Sequence, residues 1–492
     1  MAPITDEEER TPSSSPWRVA GGLAVGLAVY LLVGGLEPNQ RIVAGVFAAA
    51  VVLWISEALP LAMTAMLSTV ALVATGALPT KQAFGAYGDQ IILLFIGSFI
   101  IAQSMEVSGL DRRIALWLLS KPWATRTASS TLLSLGVIAC AISLFVSNTA
   151  TTAMMLPIGL TILRSIGVST KGNPIATSYL LMLTWGSSIA VGTIIGTPPN
   201  VLGVGLIRQA TGTNINFLQW AIFAMPITII MLLVAWLHLR TWRVAVPSTD
   251  CAHGYAREEL AKMGHLKDSE KSTLTAFGIA IFLWILPGAV EYGAGTGTDL
   301  AKAFSSRIPE AVAALIGASV LFIIPCRDTS SKRALTWLEA SRIEWGTVLL
   351  FAGGLALGEA TQASGLAKVL GDSMAKSLGA NDVWAITALA TAMAILLSEL
   401  ASNTAAANIM VPVAIALAQG AGVNPIPAAL GATIGANLGF MLPISTAPNA
   451  IVYSSGLIPP KVMLRAGLIF DIVGFLVTMA CLRMILPLMG LA

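Results

Sequence analysis

Apolar stretches of about twenty residues recur along most of this chain, and the polar residues gather between them instead of alternating with them. A helix needs roughly 20 apolar residues to cross a bilayer, whereas a membrane barrel shows shorter segments of alternating polarity. The pattern therefore predicts an all-α polytopic membrane protein. Uninterrupted spans are expected near 18–36, 41–57, 60–78, 90–108 and 217–239, and again near 272–290, 308–325, 346–364 and 464–488. The other apolar regions are interrupted. Segments 129–163 and 384–418 each carry a polar triplet near the middle. In the first, arms of about 15 residues are short for a full crossing, and both segments read as re-entrant helical hairpins. Segments 176–208 and 426–456 are broken by Gly196-Thr197-Pro198-Pro199-Asn200 and Ser445-Thr446-Ala447-Pro448-Asn449. Paired prolines cannot sit inside an intact helix.

These interruptions occur twice in the same order. Ser147 to Ile158 and Ser402 to Val413 share six of twelve residues, 255 positions apart, and both open with Ser-Asn-Thr. Residues 93–110 match 349–366 at seven of eighteen positions, and Thr-Pro-Pro-Asn at 197–200 is answered by Thr-Ala-Pro-Asn at 446–449. Three marks in one order at nearly one offset indicate an internal duplication. The first repeat, with a preceding helix, is expected to cover 17–240, a polar linker 241–271, and the second repeat 272–492. The polar, acidic stretch 1–16 lacks the basic start of a signal peptide and reads as a disordered tail.

Charge adds the orientation. Only 11% of residues are charged, mean hydropathy is +0.81, and net charge is +3. Nothing in that balance suggests nucleic acid. Basic residues cluster at 111–126, 164–171, 240–271 and 327–342, which the positive-inside rule makes cytoplasmic. With the hairpins not crossing, about eleven spans follow, with the N-terminus inside and the C-terminus outside. An odd number of spans between the hairpins makes the repeats inverted. Four scattered cysteines and three histidines in or near one polar loop give no metal or disulfide framework. No phosphate loop is present, and no nucleophile–base pair lies near either triplet, so the chain does not read as an enzyme or an ATP-driven pump.

Polar groups at membrane depth mark pathways or partners, and paired helix breaks in two halves mark a transporter's binding site. A break exposes N–H groups on one side and C=O groups on the other. The N–H ends attract anions, and the carbonyls can hold a hard cation. No Arg or Lys lies within the four breaks. An anion held there would need bound cations to offset its charge, which argues for sodium coupling. Two triplets suit a substrate with two carboxylates.

At these residues the chain resembles the divalent anion/sodium symporter family of dicarboxylate and citrate carriers, over essentially 17–490. The paired triplets and the paired Thr-x-Pro-Asn breaks carry the resemblance. It implies scaffold and elevator-type transport domains, a homodimer and a plasma-membrane location. It also implies a substrate site of Ser147, Asn148, Thr149, Thr197, Ser402, Asn403, Thr404 and Thr446. One sodium site would use Ser143, Ser147, Asn148 and Gly196, and another Ser398, Ala401, Asn403 and Ser445. The expected function is inward symport of sodium with a C4-dicarboxylate such as succinate, malate or fumarate. Some relatives exchange two dicarboxylates without sodium, and citrate and sulfate carriers share the architecture.

Glu57, Glu106, Glu359, Glu399 and Asp471 lie in or near apolar spans and are candidate membrane carboxylates. Glu399 stands three residues before the second triplet, where it could tune the second cation site or pair locally. Trp17, Trp117, Trp123, Trp220, Trp242, Trp337 and Trp345 read as interfacial anchors.

Overall fold

The computed structural model describes residues 16–168, 170–242, 250–295, 298–378 and 382–492. The expected tail 1–16 lies outside the described residues except for Pro16, as does 243–249 of the linker. The first half comprises α1 (Pro16–Leu32), α2 (Pro38–Ser56), α3 (Leu61–Ala74), α4 (Thr80–Gly85), α5 (Gln90–Ser108) and α6 (Leu110–Leu119). It continues through α7 (Ala128–Ser143), α8 (Asn148–Ser165), α9 (Pro174–Ser188), α10 (Pro198–Thr211) and α11 (Phe217–Leu239). After α12 (Asp250–Met263) come α13 (Asp268–Ala294), α14 (Asp299–Arg307), α15 (Glu310–Ile323), α16 (Trp337–Ala340) and α17 (Trp345–Ala363). The chain ends with α18 (Leu366–Leu378), α19 (Val383–Leu400), α20 (Asn403–Gly420), α21 (Pro425–Gly435), α22 (Ala447–Ser454) and α23 (Pro460–Ile485). Among the described residues six helical stretches are long and apolar enough to cross a membrane: 38–56, 80–108, 217–239, 268–294, 383–400 and 460–489. The architecture is that of an all-α, multi-pass membrane protein.

Local chemistry sets where these helices begin and end. Asn173 and Asn424 cap α9 and α21 through their side-chain oxygens, and each is followed by a proline at the first helical position. Proline there loses no hydrogen bond, since that N–H has no intrahelical partner. Pro157 and Pro412 sit inside α8 and α20 at matching places. Gly109 ends α5 in a left-handed conformation (φ 73°), and Gly365 does the same after α17 (φ 74°). Both need a residue without a Cβ to turn so sharply.

The helix pairings come in corresponding sets. α7 packs on α9 as α19 packs on α21, and α8 on α9 as α20 on α21. Across the halves, α5 packs on α15 while α17 packs on α3, and α10 meets α20 while α22 meets α8. α11 packs on its own counterpart, α23. The broken segments are the most enclosed: every residue of α9 from Ile175 to Ser188 is buried, as is α21 from Ile426 to Gly435.

Two expectations need correction. The 240–271 stretch is not simply a polar loop, because α12 occupies its middle and packs on α6. Arg113 of α6 is the pin. Its Nε donates to Glu270 at 2.7 Å, and its other nitrogens donate to the carbonyls of Gly264, Met263 and His265. Trp220 is no interfacial anchor. It is fully buried and its indole N–H donates to the Val191 carbonyl at 2.9 Å. Trp17 and Trp337, by contrast, are 85% and 72% exposed, as lipid- or interface-facing rings would be.

Removing one partner of a buried ion pair leaves the other charge stranded, at roughly 3–5 kcal/mol. Arg113→Met should therefore lower the thermal unfolding temperature of the purified protein markedly, and the double change with Glu270→Leu should recover much of the loss. Equal instability of the single and double variants would show that the pair does not pin this linker.

Candidate functional site

Ser147, Asn148, Thr149, Thr197, Ser402, Asn403, Thr404 and Thr446, the eight residues expected to meet substrate, all line one cavity of about 330 Å³. Gly196 and Ser445 line it as well. They converge because the chain breaks four times beside this space. α8 starts at Asn148, α20 at Asn403, α10 at Pro198 and α22 at Ala447, and all four starts form its wall. Helix N-termini carry unpaired N–H groups and partial positive charge, so four of them around one cavity favour an anion. Thr197 and Thr446 enter their helices with nearly the same backbone (φ −143°, ψ 146° and φ −139°, ψ 150°). The proline-to-alanine difference at 198 and 447 thus leaves the geometry of the two breaks alike.

Ser143, Ser398 and Ala401 are set behind this wall. Ser143 donates to the Asn148 amide at 2.5 Å, and Ser398 donates to Asn403 Oδ1 at 2.7 Å. The two contacts are equivalents 255 residues apart. One end of the Asn148 amide is ringed by oxygen: Ser143 Oγ at 2.5 Å, the Ser187 carbonyl at 3.2 Å and the Gly196 carbonyl at 3.3 Å. An NH2 in that place donates to them, with Ser143 then accepting. An amide oxygen there takes the Ser143 proton and faces the two carbonyls, an all-oxygen set of the kind a hard ion prefers. A Cβ on Gly196 would come 2.2 Å from the Ala190 carbonyl, so the backbone approaches there as only glycine permits. In the second cluster the Ala436 carbonyl also lies 2.7 Å from Ser398 Oγ and shares its one proton with Asn403, and Gly439 faces Ser398 and Asn403. Ala401 lies in the extended link between α19 and α20. Ser445 is joined to Glu399, not directly to Ser398 or Asn403.

Several residues outside the predicted set complete the architecture. Asn200 donates to the carbonyls of Val191 and Thr193, and Asn449 to those of Gly439 and Leu442. Their oxygens are taken by the opposite half: Asn437 donates to Asn200 at 3.0 Å, and Thr184 to Asn449 at 2.7 Å. The last asparagine of each Thr-x-Pro-Asn motif was the available signal; Asn437, Thr184 and Ser187 carry none along the chain. Glu344, just before α17, accepts the Ser147 hydroxyl at 3.1 Å. Glu57 lies across the same cavity in a left-handed conformation (φ 46°). Two carboxylates therefore line the cavity and no Lys or Arg does. Arg208, the nearest basic residue to the first break, is held by Asp89 at 2.6 Å.

Glu359 pairs with Gln209 at 2.6 Å, outside this cavity. Glu399 is 2% exposed and binds the second break, as described further below. Asp471, also buried, faces it from α23. Among the described residues no group of His, Cys, Asp and Glu has the makings of a metal centre.

Comparison with known proteins gives a consistent result. A family model described as the sodium:sulfate symporter transmembrane region matches residues 14–490. A sodium-dependent dicarboxylate transporter, SdcS, of Staphylococcus saprophyticus is 31% identical over 487 residues, covering 95% of this chain and 91% of that protein. The protein of the same name from Staphylococcus aureus strain MRSA252 is 33% identical over 485 residues with the same coverage. Among solved structures, the YdaH transporter of Alcanivorax borkumensis aligns with a TM-score of 0.54 over 96% of this chain and 98% of that one. At 12% identity that likeness concerns the fold alone.

The two threonines at the breaks differ in one testable respect. Thr446 accepts from the Asn449 N–H and caps α22, while the buried Thr197 hydroxyl has no partner in the structure. Losing a cap costs about 1 kcal/mol, whereas replacing an unpaired buried hydroxyl by a methyl group is near neutral or stabilising. Thermal unfolding of Thr446→Val and Thr197→Val should show a drop for the first only. Matched drops would mean that Thr197 is bonded as Thr446 is.

Proposed function

The chain belongs to the sodium:sulfate symporter family, and on that premise we propose that it imports a C4-dicarboxylate such as succinate, malate or fumarate together with sodium. Membership makes it a transporter and not an enzyme. The dicarboxylate and the dependence on sodium are printed in the names of its relatives. The observation that carries the reading is the cavity walled by both Ser-Asn-Thr triplets and four helix starts, without a single basic side chain.

A dicarboxylate entering that space would put one carboxylate against Ser147, Asn148 and Thr149 and the other against Ser402, Asn403 and Thr404, with Thr197 and Thr446 between them. Helix N-termini attract each carboxylate, but partial charges do not neutralise a di-anion at membrane depth. Glu57 and Glu344 make the field there more negative still. Sodium ions, as co-substrates, would supply the missing charge from the two oxygen clusters directly behind the triplets: Ser143, Ser147, Asn148 and Gly196, and Ser398, Ala401, Asn403 and Ser445. Each ion would hold an asparagine amide by its oxygen, which turns the amide's NH2 end toward the cavity. Sodium binding would then prepare the anion site, and this linkage is what symport requires.

The same reading includes inverted repeats, with the hairpins and broken helices moving as one elevator-like body against a scaffold of the uninterrupted helices. It also includes a homodimer through that scaffold in the plasma membrane, with the N-terminus cytoplasmic and the C-terminus outside. The corresponding helix pairings between the halves support the repeat.

The direct test is uptake of labelled succinate into proteoliposomes that hold no internal substrate, with an inward sodium gradient and with potassium in its place. Accumulation only with sodium is expected. Uptake indifferent to sodium and restored by preloaded dicarboxylate would make the protein an exchanger, and a preference for sulfate or citrate would replace the substrate. In the same assay Asn148→Ala and Asn403→Ala should each abolish uptake while the protein remains monodisperse and folded. Near-normal transport by either variant would remove that triplet from the site.

A further inference from the structure

The two oxygen clusters are alike in their serine–asparagine pairs but unlike in how deeply a carboxylate is set behind them: Glu344, on Ser147, is exposed, while Glu399, on Ser445, is buried. Beside Ser398 stands Glu399, and the equivalent residue beside Ser143 is Leu144. Glu399 is 2% exposed, at the end of α19. Its Oε1 accepts the Met441 N–H at 2.9 Å, and its Oε2 accepts the Leu442 N–H at 3.1 Å. Oε2 also accepts the Ser445 hydroxyl at 2.5 Å. One buried carboxylate thus gathers the whole turn 441–445 that leads into α22. At the first break nothing comparable exists: the position equivalent to Ser445 is Gly196, and the Leu144 carbonyl is occupied by the Thr193 hydroxyl.

A hydroxyl has one proton and two lone pairs. With its proton given to a carboxylate and one lone pair accepting the Leu442 N–H at 3.2 Å, Ser445 keeps a lone pair with which to face a cation, the orientation that a ligand needs. Partners behind a metal ligand commonly fix its orientation and raise its basicity in this way. The carboxylate also lies one hydroxyl away from where the ion would sit, buried with Asp471 of α23 facing it, at a depth where solvent screens little.

We propose that Glu399 is the positioning residue of the second sodium site, orienting the Ser445 oxygen toward the ion and making this site the tighter of the two. The inference rests on the sodium-symport reading above. It accounts for a carboxylate at membrane depth that would otherwise only tether a turn, and it gives the two halves unequal roles: the carboxylate on the first cluster, Glu344 behind Ser147, is exposed where Glu399 is buried, so the first cluster takes its ion more weakly and fills after the second.

The test reads sodium binding apart from transport. Thermal unfolding of the purified full-length protein is followed against sodium chloride, with choline chloride holding ionic strength constant. A bound ion stabilises by RT ln(1 + [Na+]/Kd), so the unfolding temperature starts to climb near the Kd and then rises with the logarithm of concentration. Glu399→Gln should move the onset of that climb to about 10–100-fold higher sodium, the usual effect of losing such a partner, with little change in unfolding temperature without sodium. Ser445→Ala should do the same, and the double variant should go no further than either single one, because both act through one oxygen. Glu399→Asp, which keeps the charge but withdraws it by a methylene, should fall between, and it stands in for the glutamine variant if that one does not fold. At saturating sodium the succinate KM of Glu399→Gln should stay within about twofold of the parent, since the anion site is assembled once the ion is bound. An unchanged sodium titration in Glu399→Gln, or in Glu399→Asp if it must stand in, overturns the proposal, as does additivity in the double variant. Absence of sodium-specific stabilisation in the parent protein overturns the symport reading and this inference with it.

Discussion

A helix that stops inside a membrane leaves backbone N–H and C=O groups where no bulk water can satisfy them. Everything distinctive about this protein follows from stopping four helices at one place. The carbonyls freed at the two Thr-x-Pro-Asn breaks are taken up by Asn200, Asn449 and the buried indole of Trp220. The helix starts themselves wall the central cavity, with Ser402 and Thr446 each capping one N–H of the helix it opens. The asparagine oxygens are in turn bound by the opposite half, through Asn437 and Thr184. Each break is therefore completed by a residue from the other repeat, and neither half could hold its own site open alone.

Charge is managed by the same economy. The cavity suits an anion by helix starts and hydroxyls, yet its only formal charges are the carboxylates of Glu57 and Glu344. A site lined with arginine would bind a di-anion firmly in any state of the carrier and release it slowly. On the symport proposal, a site made favourable by cations in the two oxygen clusters would bind and release with them. Ser147 illustrates the balance: its hydroxyl, proposed to meet a substrate carboxylate, donates to the Glu344 carboxylate.

Much of the fold was legible along the chain because membrane helices announce themselves by unbroken apolar length and their interruptions by proline and polar residues. Both triplets, both Thr-x-Pro-Asn breaks and the uninterrupted spans come from that local chemistry. The corrections come from places where composition is neutral about location. Trp220 has the same amphipathic ring as Trp17, and only its packing against the first break distinguishes a buried donor from a membrane anchor. The 240–271 stretch is polar enough for a loop, but α12 packs on α6, and the burial of Arg113 against Glu270 ties the end of that stretch in place.

By itself the sequence determined that this is a helical membrane protein with two polar triplets and two proline breaks, because periodicity and helix-breaking residues are properties of neighbours along the chain. Only the tertiary structure decided that all four interruptions surround one cavity, that Asn437 lines it while Ser187 and Thr184 support the residues around it, and that Glu399 stands behind one oxygen cluster and not the other. Those facts depend on residues such as Glu399 and Ser445, 46 positions apart, and Thr184 and Asn449, 265 apart, being brought within hydrogen-bond reach, and packing between helices, not any local preference, sets those distances.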